Sequence, residues 1–259
     1  MIGATIVAIA KLEKPYIEEW VKYHLSLGFL YIVLYDNEDV PTYKNMLRRY
    51  SNRVIVIHYP GRGKQYAALN HFVNNFIRNP SITHVIHMDI DEFIVLKKHT
   101  HINDFIKSYI KGNCAGIGIN WKFFGSSNQI KYTNKPVTFR FTKCQKGMNN
   151  HVKTLFDKTK MSGYYTNVHY INTIPKYYIK STKGNNIVGP FNNNHDDSVI
   201  QLNHYKTKTL EEFKKARTRG RADFAHMVKE DINKSFKQFN RNEVTDLTAF
   251  NTYKKFINL

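Results

Sequence analysis

Two aspartates separated by one residue, Asp89 and Asp91, stand directly after the apolar run His84–Met88. In extended backbone, side chains alternate between two faces, so both carboxylates point the same way with Cα atoms about 7 Å apart. A hard divalent cation such as Mg²⁺ or Mn²⁺ takes one or two protein carboxylates, and completes its shell with water and phosphate oxygens. The pair therefore predicts a metal site, with Glu92 turned to the other side.

Three histidines are further candidates for this site. His204 ends an apolar segment near the C-terminal third of the chain, where a neutral imidazole can complete an oxygen-rich Mn²⁺ site. His87 shares a face with Asp89 and could bind the metal. The alternative interpretation of His87 is an ordinary buried histidine within a strand. His169 is open to either interpretation.

Other kinds of catalytic site lack their signatures in this sequence. Gly-x-Ser-x-Gly, the Walker A loop, Gly-x-Gly-x-x-Gly and zinc-ligand spacings are all missing. Gly61-Arg62-Gly63-Lys64 resembles part of a phosphate loop without its spacing, and is interpreted as a turn from which Lys64 can touch phosphate. Cys114 and Cys144 are too few for a disulfide framework, which favours a reducing compartment.

The net charge is unusual, because 39 Lys and Arg face 20 Asp and Glu, giving +19. Such a chain attracts polyanions, including nucleic acid and phosphorylated ligands. The basic residues are spread along the chain rather than grouped in blocks, and Lys and Asn are overused throughout. One cluster, Arg217–Asp223, is either a solvated helix end or a clamp for a diphosphate or an acidic acceptor.

The elements that position these residues alternate between strand and helix over the first hundred residues. Right-handed crossovers make such a pattern an open, mostly parallel sheet with helices on both faces, and ligands bind beyond the carboxyl ends of its strands. Asp89 follows one of those ends. The predicted strands are Ile2–Ala10, Tyr31–Tyr35, Val54–Tyr59 and His84–Met88, and the predicted helices run from Pro15 to Gly28, Pro41–Tyr50 and Lys64–Ile77.

The second half is predicted to continue the same domain with shorter strands and mixed pairing. One domain is expected over residues 1–225, with a helical extension over 226–259 packed on it. The apolar stretch Met1–Ala10 is too short to span a membrane, so the chain is expected to be soluble. The predicted strands are Ala115–Asn120, His151–Phe156, Tyr164–Tyr170, Tyr177–Ser181 and Ile200–His204, and the helices are Leu210–Arg219 and Asp231–Phe239.

Seven short blocks spread over residues 1–225 match, in order, the signature segments of one enzyme group. They resemble nucleotide-sugar glycosyltransferases of the GT-A fold, closest to family 92 and a family 2-like group with an Asp-x-Asp-Glu-Phe motif. The blocks are Tyr16–His24 with Leu27-Gly28, Tyr35-Asp36-Asn37, Gln65 with Asn70, Asp89–Phe93, Trp121–Ser127, Asn150–Lys153 with Val168-His169, and Asn203–Tyr205 with Glu211–Phe213 and Arg219-Gly220.

The sequence departs from that group in two respects. Lys11-Leu12-Glu13 stands where the group usually shows Lys-Asn-Glu. The group's stem, transmembrane helix and cysteines are missing, which favours a cytoplasmic enzyme, in the host cytoplasm or the virion if the protein is viral.

The resemblance implies a metal-dependent glycosyltransferase. Asp89 and Asp91 would hold Mn²⁺ or Mg²⁺ on the diphosphate of a nucleotide sugar, with a UDP-sugar favoured, and His204 would be a late ligand. The acceptor would be a glycan or glycoprotein. The remaining implied contacts are Ala8, Ile9, Ala10 and Asp36 with the nucleotide, Asp89 also with the ribose, Lys153 with the diphosphate, and Trp121 and Phe124 with the acceptor sugar.

An inverting transfer needs a general base within hydrogen-bond reach of the acceptor hydroxyl. Asp223 is favoured because it follows the Arg-Gly block, and Asp196, Asp197 and Glu92 are the alternatives. The main alternative function is a basic α/β module that binds nucleic acid or another polyanion without transferase activity. A nuclease or nucleotidyltransferase is disfavoured, because two-metal chemistry needs more carboxylates than this one pair. No nucleic-acid partner is expected.

Overall fold

A computed structural model of the chain describes residues 2–218 and 231–257. Its centre is a ten-stranded sheet, accompanied by a separate two-stranded one. The strands are β1 Ala4–Ala10, β2 Tyr31–Asp36, β3 Val54–His58, β4 His84–His87, β5 Glu92–Leu96, β6 Cys114–Phe123, β7 Lys143–Cys144, β8 Val152–Asp157, β9 Tyr178–Lys180, β10 Asn186–Ile187, β11 Ile200–His204 and β12 Val244–Thr245.

Helices surround the large sheet and follow its last strand. Short 3₁₀ turns at Arg48–Tyr50 and Lys158–Lys160 accompany them. The α-helices are α1 Ile17–Ser26, α2 Tyr43–Met46, α3 Gln65–Asn75, α4 Ile102–Tyr109, α5 Val137–Arg140, α6 Leu210–Thr218, α7 Ile232–Phe239 and α8 Thr248–Ile257. None of the helices in the described ranges is long and apolar enough to cross a membrane.

The order of strands in the large sheet is β10-β9-β6-β8-β4-β1-β2-β3. The first four strands of the chain, β1 to β4, pair in parallel. β8 lies antiparallel between β4 and β6, while β11 runs parallel to β6 and antiparallel to β5. The predicted class, an open mixed α/β sheet with flanking helices and a helical C-terminal part, is confirmed.

Both faces of β1 are covered, which explains its uninterrupted apolar sequence. Its even-numbered residues, among them Ala8 and Ala10, lie in a core shared with Trp20 of α1. Its odd-numbered residue Val7 lies in a second core with Phe72 of α3. The period of two along the strand therefore decides which residues of β1 can contribute to a site.

Several predicted elements differ from the structure. Tyr164–Tyr170 forms no strand, because its polar groups bond elsewhere: the Tyr165 backbone N–H donates to Asn70 Oδ1 at 2.9 Å. Pro41–Tyr50 is divided into α2 and a 3₁₀ turn. β5, α4 and α8 were not predicted from the sequence.

The described part of the C-terminal segment packs on the sheet. Val244 of β12 pairs with Cys144 of β7, and Tyr253 of α8 lies in the main core beside Tyr23, with ring centroids 6.1 Å apart. Phe236 of α7 contacts Phe213 of α6 edge-on at 5.5 Å. These contacts join β12 to β7, α8 to the main core and α7 to α6.

Candidate active site

An open cleft of about 260 Å³ lies at the carboxyl ends of the parallel strands. Asp89, Asp91 and His204 line it together, as the sequence predicted, and Trp121 forms part of the wall. The other charged side chains on the lining are Glu13, Lys11, Arg62, Lys206, Lys208 and Arg217.

The two aspartates project from a turn rather than from extended backbone. The chain reverses between β4 and β5, and the Glu92 N–H donates to the Asp89 carbonyl at 3.1 Å. In return, the Glu92 carboxylate accepts the Asp89 N–H at 2.9 Å. The predicted alternation was therefore wrong for these residues, because β4 ends at His87 and the tight turn brings both carboxylates to the cleft.

Lys153 of β8 lies beneath Asp89 and is completely buried. Its ammonium is 3.0 Å from Asp89 Oδ2 and 3.6 Å from Glu92 Oε2. Burial raises the pKa of Asp89, but the positive charge of Lys153, aided by His87, outweighs burial and holds that pKa at about 2. Burial also raises the pKa of Glu92 well above its usual range. Lys153 thus keeps Asp89 ionised and sets its position.

Asp91 faces His204 across the cleft floor. His204 Nε2 lies 3.5 Å from Asp91 Oδ2, and both side chains are nearly buried. The Tyr205 N–H donates to the Asp91 carbonyl at 2.8 Å, which ties the turn to the end of β11. The Trp121 ring packs against the His204 ring with centroids 4.4 Å apart, so the imidazole has little freedom to rotate.

The other two histidines have different environments. His87 is buried, its Nδ1 lies 3.0 Å from the Val168 carbonyl oxygen, and burial together with Lys153 lowers its pKa to about 4. His169 lines the cleft, and burial lowers its pKa to about 3. Both rings are therefore neutral at physiological pH.

Comparison with known proteins identifies the family. The family model described as Glycosyltransferase family 92 matches residues 11–242. The chain belongs to glycosyltransferase family 92. The resemblance found in the sequence is thereby confirmed.

The matched relatives are distant. A glycosyltransferase family 92 protein of Oryza sativa subsp. japonica is 25% identical over 203 residues, which cover 77% of this chain and 32% of that protein. This chain thus spans about a third of that relative's length. Among solved structures, S. aureus TarS 1–349 is 12% identical with a TM-score of 0.41, covering 99% of this chain and 73% of that one. HddC from Yersinia pseudotuberculosis is 11% identical with a TM-score of 0.37, covering 66% of this chain and 82% of that one.

Three residues of this family 92 chain that were predicted to contact the nucleotide lie away from the cleft. Ala8 and Ala10 are 1% exposed and belong to the core, because they occupy the α1 face of β1. Asp36 is also 1% exposed, and its carboxylate accepts the N–H groups of Thr42 and Tyr43 at the start of α2.

The fourth predicted nucleotide contact, Ile9, does line the cleft, and so does Asn37. Ile9 occupies the opposite face of β1, and Asn37 follows Asp36 at the end of β2. The Asn37 amide donates to the carbonyls of Tyr59 at 2.7 Å and Gly61 at 2.8 Å, so it fixes the glycine loop before α3. Of the three predicted residues of β1, Ile9 lines the cleft, because the alternation along the strand places Ala8 and Ala10 on the other face.

The predicted phosphate contacts Lys64 and Lys153 are not among the described residues that line the cleft. The Lys64 side chain folds over Gly61: a Cβ added to Gly61 would lie 2.8 Å from Lys64 Cε. Arg62 and Gln65 line the cleft in place of Lys64. Lys153 has no exposed side-chain surface, so the prediction that it touches the diphosphate is not supported by its position.

Of the two residues predicted to contact the acceptor sugar, one lines the cleft and the other is buried in the core. Trp121 lines the cleft and stacks on His151 at 5.0 Å. Phe124 is 1% exposed and packs on Tyr205 at 4.7 Å, inside the core. Phe124 lies just beyond the end of β6, where the chain turns inward.

The predicted general bases do not reach the cleft within the described ranges. Asp223 lies outside the described residues, as does the rest of its basic cluster beyond Thr218. The Asp196 carboxylate accepts from Thr182 Oγ1, Asp197 pairs with Lys97 at 3.1 Å, and Glu92 has no exposed side-chain surface. Glu13, which ends the Lys11-Leu12-Glu13 segment and was given no role from the sequence, does line the cleft.

Proposed function

We propose that this chain transfers a sugar from a nucleotide-sugar donor, a UDP-sugar being favoured, to a hydroxyl of a glycan or glycoprotein. The transfer uses Mn²⁺ or Mg²⁺ and inverts the anomeric centre. One observation carries the proposal: Asp89, Asp91 and His204 open onto a single cleft in a family 92 chain.

The donor set of the cleft suits a hard divalent ion. Asp91 and His204 offer a carboxylate oxygen and an imidazole nitrogen 3.5 Å apart, and Asp89 is 35% exposed at the same turn. No group of three His, Cys, Asp or Glu within residues 2–218 and 231–257 is arranged to hold a metal by itself. Such an ion completes its shell with water and substrate phosphate, so few protein ligands are needed. When bound, it would neutralise charge developing on the leaving diphosphate.

The charges around the cleft favour an anionic donor. Among the described residues of the lining, five cationic side chains face three carboxylates. Lys206 follows β11 and Arg217 belongs to α6, while Arg62 lies in the glycine loop before α3. A nucleoside diphosphate in this cleft meets positive charge from these separate segments, which strengthens its binding in a partly desolvated cleft.

The decisive experiment is a thermal-shift panel of nucleotide sugars with and without Mn²⁺. A ligand that binds only the native state raises the melting temperature. A Mn²⁺-dependent shift that disappears in Asp91→Ala and persists in Asp104→Ala supports the proposal, because Asp104 is exposed on α4. Full donor affinity in Asp91→Ala contradicts metal dependence. Shifts with DNA or RNA alone that weaken steeply with salt support the polyanion-binding alternative.

A further inference from the structure

A second cavity of about 190 Å³ adjoins the cleft, and we call it the side pocket. Glu13, Lys206, Lys208 and Ala216 line both spaces, so they form the junction between them. The side pocket continues away from Asp89 and Asp91 towards the start of α1, where Tyr16 lies on its wall. A molecule seated there would reach the cleft past these four residues.

Glu13 holds a distinctive place at this junction. Among the described lining residues, it is the one carboxylate common to both spaces. Asp89 and Asp91 line only the cleft, while Glu211 and Glu212 line only the side pocket. Glu212 is bound to Arg140, with Oε1 2.8 Å from Nη1.

The backbone around Glu13 is held rigidly. The Glu13 N–H donates to the Tyr43 hydroxyl at 3.0 Å, and the Glu13 carbonyl accepts the N–H groups of Tyr16 and Ile17 at the start of α1. The preceding residue, Leu12, has a φ of 60°, and its N–H donates to Glu38 Oε1 at 2.8 Å. Such contacts keep a side chain in place on a wall that is otherwise formed by a loop.

Two non-glycine residues with left-handed backbone lie on the walls of the side pocket. Leu12 and Lys208 are two of the non-glycine residues with positive φ in the described ranges, at 60° and 52°, and both line the side pocket. Non-glycine residues adopt this conformation at an energetic cost, and they cluster at ligand-binding and catalytic sites. Two such residues on walls of one small pocket indicate that its shape serves a ligand.

We propose that the side pocket binds the acceptor sugar and that Glu13 is the catalytic base. In the transfer, the Glu13 carboxylate takes the proton of the acceptor hydroxyl while that oxygen forms a bond to the anomeric carbon of the donor. The bond from the anomeric carbon to the diphosphate breaks, and its electron pair leaves with the diphosphate. The inference rests on the proposed function.

The side-pocket walls suit a neutral pyranose. Leu12, Pro15 and the ring of Tyr132 supply apolar surface for the C–H face of a sugar. The hydroxyl and charged groups of Tyr16, Lys208 and Glu211 on the same lining can bind its hydroxyls. Apolar surface combined with a few convergent polar groups is typical of small-molecule sites.

The test measures sugar transfer and donor binding separately. UDP-glucose and UDP-galactose serve as donors with Mn²⁺, and p-nitrophenyl glucoside, galactoside, mannoside and N-acetylglucosaminide serve as acceptors. Glu13→Gln is expected to lower kcat about 100-fold or more, because the acceptor hydroxyl loses its proton acceptor. Donor affinity, measured by calorimetry, is expected to stay unchanged, and Glu13→Asp is expected to recover part of the rate.

The control is Glu18→Gln, at an exposed carboxylate in the first turn of α1 that pairs with Arg49. This variant should keep the wild-type rate. Because Glu13 is buried, the melting temperature of Glu13→Gln is measured first. Tyr132→Ala, at a side chain that is 39% exposed, tests the side pocket independently and should raise the acceptor KM without changing donor affinity.

Three outcomes overturn the inference. The first is a Glu13→Gln rate close to that of the wild type. The second is loss of donor binding in parallel with loss of transfer, which would make Glu13 a donor-binding residue. The third is an unchanged acceptor KM in Tyr132→Ala. Failure of the proposed function is distinguishable, because the wild-type protein would then bind and turn over neither nucleotide sugar.

Discussion

The ammonium of Lys153 lies 3.0 Å from Asp89 Oδ2, although the two residues are 64 positions apart in the chain. Lys153 comes from β8, which is antiparallel to β4, and it reaches the turn after β4 from below. Burial lowers the pKa of Lys153, but the Asp89 and Glu92 carboxylates outweigh it and keep the pKa above its usual value. The buried ammonium of Lys153 therefore supplies the counter-charge for the carboxylates at the cleft floor.

Lys153→Met should destabilise the protein strongly, because it leaves Glu92 and Asp89 without their counter-charge. Breaking a buried pair costs about 3–5 kcal/mol, and the lower end applies here because Asp89 is 35% exposed. Urea unfolding measures the loss. Lys107→Met, at an exposed pair with Asp104, should change stability by less than about 0.5 kcal/mol. Equal urea midpoints for both variants would show that the buried pair does not support the fold.

His24 should make the protein sensitive to acid. Burial lowers its pKa from 6.5 to about 3, and the hydrogen bond between Nδ1 and the Trp20 carbonyl opposes this shift without cancelling it. Nε2 accepts the Ile94 N–H, a bond that protonation of Nε2 would remove. A depressed pKa means that the stabilisation is complete above pH 6.5 and is lost as the pH falls towards 3. At pH 5 the cost is about 2 kcal/mol relative to pH 8.

Unfolding free energies measured at pH 8 and pH 5 test this sign. His24→Gln keeps a group able to bond both partners but removes the titration, so its stability should fall less between the two pH values. A variant with the same fall as the wild type would show that other groups carry the acid sensitivity.

His204→Ala should weaken Mn²⁺-dependent binding of the donor nucleotide while leaving the fold intact. Removing a residue that hydrogen-bonds to a metal ligand lowers metal affinity about 10–100-fold, so removing the ligand His204 itself should lower it at least about 10-fold. Calorimetry with UDP and Mn²⁺ measures this. His195→Ala, in the loop before β11, is the matched control. Unaltered Mn²⁺ dependence in His204→Ala would remove His204 from the metal site.

Gly116→Ala should destabilise the sheet beneath the site. An added Cβ would lie 2.5 Å from the Leu155 carbonyl oxygen and 2.8 Å from the Phe156 Cα, both backbone atoms of β8. Overpacking of this kind costs about 1–3 kcal/mol. Gly147→Ala is the control, since nothing lies within 4 Å of its added Cβ. Thermal unfolding compares the two, and equal melting temperatures would contradict the expected clash.

Local pattern was sufficient for the elements that build the sheet. β1, α1, α3 and β11 were predicted close to their observed bounds, because each buries a continuous run or a stripe of apolar side chains. The strand predicted over Tyr164–Tyr170 was wrong for the opposite reason. Its aromatic residues have strand propensity, but the segment bonds to α3 and to side chains rather than to a neighbouring strand.

Sequence alone determined the chemistry-bearing residues of the cleft floor: the aspartates of the turn, His204 and Trp121, through residue type, spacing and a family resemblance. Only the tertiary structure decided that Ile9 rather than Ala8 or Ala10 faces the cleft, that Lys153 lies under it, and that Glu13 stands at its junction with the side pocket. The physical reason is that ion pairs and pocket walls form between residues that are far apart in the chain. Spacing along one strand does not reveal which distant residues the strand will contact or which of them will be buried.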